Sequence, residues 1–128
     1  MSVVGASDYS SLIDLAYAAL SKDYDVAAEL VGKLEKSLVV PDGQAPHDAV
    51  RIGSTVTFEV EGGSRRTIKL VYPDKIDVIL ARISVLTPIG VALLGLREGQ
   101  CSQWFSRDGQ AHHLTVVCVV QEAADLVL

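Results

Sequence analysis

The sequence predicts an α+β chain: a short antiparallel helical hairpin, then a β-domain of roughly five antiparallel strands around one short helix. Three observations predict it. Apolar residues recur at helical spacing over the first forty positions, prolines and a glycine then interrupt, and from position 51 apolar and polar residues alternate in short runs. The expected division is 1–40 for the hairpin, 41–50 for a linker and 51–128 for the β-domain.

The elements follow in order. Residues 1–8 are expected to fray. Leu12, Ile13, Ala16, Ala19 and Leu20 make one apolar stripe, and Ala27, Leu30, Val31, Leu34 and Leu38 make a second. The polar knot Ser21-Lys22-Asp23-Tyr24-Asp25 lies between them, and Asp23 or Asp25 is placed to cap the second helix. Glu29 and Lys33 have i,i+4 spacing for an ion pair. Each arm is about 20 Å long at 1.5 Å per residue, too short to be stable alone, so the hairpin must lean on itself or on the β-domain. Val56, Phe58 and Val60 alternate with polar neighbours, and Gly62-Gly63 turns into a strand at 66–72 that Pro73-Asp74 breaks. A further strand is expected at 82–86. Thr87, Pro88 and Gly95 then mark the cap, first residue and left-handed terminus of a two-turn helix. Strands at 100–106 and 111–121 flank Asp108-Gly109, a hairpin signal. The tail 122–128 is expected to be ordered only when docked.

Composition excludes several function classes. The chain has 128 residues and a formal charge of −5. That balance disfavours sequence-specific nucleic-acid binding, in which Lys and Arg neutralise phosphates, but suits a protein partner. No apolar run approaches the ~20 residues of a spanning helix. The N-terminus has neither a basic n-region nor an apolar h-region, so no signal peptide is expected and the cytoplasm is the expected compartment. Cys101 and Cys118 are expected to be buried small hydrophobes in a reducing compartment, with a disulfide or a metal pair as the alternative.

No residue set points to catalysis, a metal or a cofactor. The glycines around α-helical Gly90 to Gly95 lack the Gly-Lys-Ser/Thr ending of a phosphate loop. His112 and His113 are neighbours on a strand and face opposite sides, and His47 is in the linker, so none pairs up for zinc. No nucleophile elbow is present. Asp23 and Asp25 crown the hairpin tip as caps, or as carboxylates offered to a metal held elsewhere. Of Trp104 and Phe105, one is expected in the core and the other outside.

The run Leu70-Val71-Tyr72-Pro73-Asp74-Lys75 and the longer run Ile83-Ser84-Val85-Leu86-Thr87-Pro88-Ile89-Gly90-Val91-Ala92-Leu93-Leu94-Gly95-Leu96-Arg97-Glu98-Gly99 resemble the C-terminal domain of the GreA/GreB transcript-cleavage factors. They are most similar to its Rnk (regulator of nucleoside diphosphate kinase) branch. Pro46-His47-Asp48-Ala49-Val50 and Gly53-Ser54-Thr55-Val56 share the likeness, which spans about residues 46–121. The resemblance implies an FKBP-like β-domain. It also implies docking at the rim of the RNA polymerase secondary channel through the segment Leu86, Thr87, Pro88 and Ile89. Gre factors carry a long coiled coil whose acidic tip reaches the polymerase magnesium; the arms here are about half that length or less, so Asp23 and Asp25 should fall short.

The expected function is therefore a Rnk-like regulator that binds RNA polymerase without cleaving transcripts, and not an enzyme. A Gre-type cleavage factor using Asp23 and Asp25 is the alternative. A peptidyl-prolyl isomerase is a further one, but it needs Phe58, Tyr72, Trp104 and Phe105 to converge. Oligomeric state is left open. Exposed apolar surface near the short helix would mark the docking face.

Overall fold

The computed structural model describes residues 2–106 and 108–122. The tail expected to order on docking therefore lies, past Glu122, outside the described residues. Two helices form the N-terminal hairpin: α1, Ala6–Ala19, and α2, Tyr24–Lys36. Leu12 and Ala16 on α1 meet Val26, Ala27, Leu30 and Leu34 on α2, all buried at helical spacing.

The hairpin is closed at its base by a feature absent from the sequence reading. Val3–Gly5 forms strand β1, which pairs in parallel with β2, Leu38–Val40. Within the stretch expected to fray, Val3 to Asp8 are therefore ordered: β1 and the first turn of α1 occupy them. Helix α2 stops at Lys36, and Leu38 belongs to a strand instead of extending the helix. The cause is tertiary. Val3 N–H donates to the Gly95 carbonyl at 3.1 Å and Leu38 N–H to the Ser2 carbonyl at 2.9 Å. Gly95 has φ +80, and a Cβ there would lie 2.7 Å from the Ser2 Cβ. A glycine that ends one helix thus also lets the N-terminal strand approach.

The main sheet has the order β5-β4-β3-β7-β6. Its strands are β3 (Thr55–Val60), β4 (Arg65–Val71), β5 (Arg82–Ser84), β6 (Cys101–Phe105) and β7 (Ala111–Val120). Pairing is antiparallel throughout except between β4 and β5, which run parallel. The alternation read at 55–60 holds: Val56 and Phe58 are fully buried. A 3-10 turn at Pro73–Lys75 breaks β4 from β5. Helix α3, Pro88–Leu93, packs behind the sheet with Val91, Ala92, Leu93 and Leu94 buried.

One core joins hairpin and sheet. Leu12, Leu30 and Leu34 share it with Val50, Phe58, Leu70, Leu93 and Val116. The linker reaches it too: Val50 N–H donates to the Leu96 carbonyl and Gly95 N–H to the Val50 carbonyl, both at 2.8 Å. Two local expectations are corrected. Cys101 and Cys118 are exposed, not buried, because strand alternation turns both away from the core. Lys33 makes no ion pair with Glu29 among the described residues. It turns inward to the Val91 and Ala92 carbonyls at 2.5 and 2.7 Å, since packing against α3 takes the place of solvent on that face.

Candidate functional site

The docking segment expected from the sequence is a tight corner between β5 and α3. Thr87 adopts extended backbone and caps the helix: its hydroxyl accepts from Gly90 N–H at 3.0 Å and donates to the Ser84 carbonyl at 2.8 Å. The Ser84 hydroxyl accepts from Leu86 N–H at 2.9 Å. Pro88 fills the first helical position, where its missing N–H is harmless. A Cβ on Gly90 would sit 2.4 Å from the Ser84 carbonyl oxygen. The corner therefore depends on glycine for close approach and on threonine for its hydroxyl.

All four expected docking residues lie at this corner. Leu86 and Ile89 lean on the core, and all four are partly exposed. The Thr87 hydroxyl is committed to the corner, so it shapes the surface more than it offers a free polar group. Thr87 also borders a concavity of ≈ 340 Å³ shared with β4 and β5.

The hairpin tip lies at the far end from β1 and β2. Asp23 stands at the α2 N-cap position, partly buried, and Asp25 is exposed in the first turn. Lys33 rests the hairpin on α3 ten residues after Asp23, so the tip stands only about 15 Å beyond that support. The Lys33 amine is driven down from 10.5 to about 7 by desolvation. Glu29, four residues earlier, is pushed up by desolvation and then by the Asp25 charge.

The histidines belong to the β6–β7 hairpin. His112 stacks on Trp104 with ring centroids 4.4 Å apart. Its Nδ1 lies 2.7 Å from Glu61 Oε1, and its Nε2 lies 3.1 Å from the Ser106 hydroxyl. His113 uses only its backbone N–H, donating to Glu61 Oε2 at 2.6 Å. That N–H, then His112, holds the Glu61 carboxyl below its usual range. Serine, histidine and glutamate so arranged look like a hydrolase relay. However, the Ser106 hydroxyl donates to the Asp108 carboxylate. The Ser106 hydroxyl is thus shared among Asp108, the Gln110 carbonyl and His112, all within the one hairpin. The cluster fastens the hairpin. Among the described residues no group of three or more His, Cys, Asp or Glu could hold a metal ion.

The four aromatics of the isomerase reading do not converge. Phe58 is fully buried, and Tyr72 lines a depression with Lys69 and Lys75. Trp104 and Phe105 line a separate groove with Lys33 and Pro88. Trp104 packs on the core with its indole N–H buried and without an acceptor among the described residues, while Phe105 is exposed. No helix among the described residues is long and apolar enough to cross a membrane.

Residues 45–121 match the family of the GreA/GreB transcription elongation factor C-terminal domain. The chain is similar to the regulator of nucleoside diphosphate kinase of Escherichia coli (strain K12), 37% identical over 103 residues, which are 80% of this chain and 73% of that protein. It is also similar to the transcription elongation factor GreA of Hyphomonas neptunium, 38% identical over 73 residues, covering 56% and 46% of the two chains. Among solved structures, a prokaryotic transcription elongation factor GreA/GreB from Nitrosomonas europaea superimposes with a TM-score of 0.75 at 29% identity. The match covers 94% of this chain and 99% of that one.

Proposed function

Since this chain belongs to the GreA/GreB family of transcription elongation factors, we propose that it regulates transcription by docking on RNA polymerase near the secondary channel without promoting transcript cleavage. Leu86, Thr87, Pro88 and Ile89 form the contact corner in this reading. Family membership supports the polymerase as partner. The corner supports the mode: a rigid turn, with a partly exposed proline and isoleucine, at the mouth of a concavity.

The observation that carries the second half is the length of the arms. Helices of 14 and 13 residues span only about 20 Å, and the Lys33 support shortens the free portion further. Asp23 and Asp25 crown a stub, so they reach no metal deep in a channel when the β-domain sits at its rim. The protein then competes for the rim by occupancy alone.

Two measurements test this. Biolayer interferometry against core RNA polymerase should show binding that weakens in Pro88→Glu. Adding the protein to backtracked elongation complexes should release no short 3′ RNA. Release of such fragments, lost in the double variant Asp23→Ala/Asp25→Ala, would instead establish a cleavage factor.

A further inference from the structure

We propose that the turn at residues 76–81 is a second docking element beside the α3 corner, shaped to seat an apolar ridge bordered by acidic side chains on RNA polymerase. This inference rests on the reading that the corner faces the polymerase, and extends it to a surface of different chemistry.

The turn displays its aliphatic side chains to solvent. Val78 is 88% and Ile79 94% exposed, and Ile76 and Leu80 are both more than half exposed. Single exposed aliphatics are ordinary, but a contiguous cluster marks a surface that is covered in use. The display is held in place, not loose. Asp77 and Arg82 exchange backbone hydrogen bonds at 3.2 and 2.8 Å, and Ala81 N–H donates to the Val78 carbonyl at 3.2 Å. The Asp77 carboxylate accepts from Leu80 N–H at 3.1 Å. Ala81 closes the turn at φ +54, a left-handed conformation that costs a non-glycine residue energy. Its carbonyl is anchored by Lys69 N–H of β4 at 3.0 Å. A turn already fixed in shape loses little entropy when a partner covers it.

The surface is continuous with the corner. The same ≈ 340 Å³ concavity is lined by Ile76, Val78 and Ile83, bordered by Arg66 and Arg82, and ends at Thr87. Neither arginine has a carboxylate partner among the described residues, and Arg66 lies over the Phe58 ring at 5.8 Å. Two guanidinium groups with no carboxylate partner among the described residues thus edge an aliphatic patch on a chain whose net charge is −5. Local charge opposes the charge of the whole, which selects a partner with carboxylates flanking its apolar centre. Arginine beside aliphatic surface is also the composition of interface cores, where lysine and acidic residues are depleted.

The test uses the full-length chain and core RNA polymerase by biolayer interferometry. Ile79→Ser removes an anchor that has no part in the core, and should weaken binding by about tenfold or more, the effect of truncating an interface anchor. The double variant Arg66→Glu/Arg82→Glu should weaken it at least as much, with a reduced dependence on salt. Circular dichroism checks that each variant keeps its fold. If both bind like the parent while Pro88→Glu does not, docking is confined to the corner and this inference fails while the broader reading stands. If the parent does not bind at all, both fall. If Ile79→Ser instead turns a self-associating protein into a monomer without changing polymerase binding, a second copy covers the patch and the inference is overturned.

Discussion

Replacing Lys33 with methionine should flatten the pH dependence of stability between pH 7 and 9. The amine sits between α2 and α3, donating to two carbonyls at 2.5 and 2.7 Å, and desolvation lowers it to about 7. In the unfolded chain it returns to 10.5. Below pH 7 both states hold the proton, and the folded state carries a poorly solvated charge. Between these values the unfolded state binds more protons than the folded one, so stability rises with pH. The slope for one such group approaches ~1.4 kcal/mol per pH unit. Over two units that is ~2–3 kcal/mol, a large share of the ~5–15 kcal/mol of a small domain. Tyr72, whose phenol is raised by desolvation above its ordinary 10, opposes the trend only at higher pH. Urea denaturation at pH 7, 8 and 9, for parent and Lys33→Met, measures the effect. A parent whose stability is level over this range, or a methionine variant with the same slope, would refute the buried-amine account. Methionine also matches lysine in length and removes the charge, so at pH 6 the variant should be the more stable of the two, despite two carbonyls losing a donor.

Other perturbations test the remaining contacts. Gly90→Ala drives a Cβ to within 2.4 Å of the Ser84 carbonyl and should cost about 1–3 kcal/mol by overpacking, read as a lowered urea midpoint. Thr87→Ala removes the cap on Gly90 N–H and should cost ~1 kcal/mol, whereas Thr87→Ser should be nearly neutral. Gly95→Ala should release β1, seen as faster amide exchange at Val3 and Leu38, because the left-handed φ and the Ser2 contact both exclude a side chain there. Glu61 has a lowered folded pKa, so its contribution is present above the ordinary 4.5 and fades as pH falls through the folded value. Glu61→Gln should therefore diminish the loss of thermal stability on acidification below pH 5; unchanged acid sensitivity would place the linkage elsewhere.

Periodicity alone was enough for the hairpin, the half-buried strand at Thr55–Val60 and the cap-proline-glycine pattern of α3, because each is written within a few neighbouring residues. The family was legible through resemblance, since the run around Thr87 and Pro88 is distinctive in type and order. What neighbouring residues cannot encode is which distant backbone completes a hydrogen bond. The β1–β2 pairing depends on Gly95 from ninety positions away, the parallel placement of β5 on a crossover, and the inward turn of Lys33 on carbonyls of another helix. Strand phase, not cysteine chemistry, put Cys101 and Cys118 in solvent. Periodicity assigned no element to the aliphatic turn at 76–81; only the tertiary structure, by clasping Asp77 to Arg82, shows those side chains facing water next to two arginines.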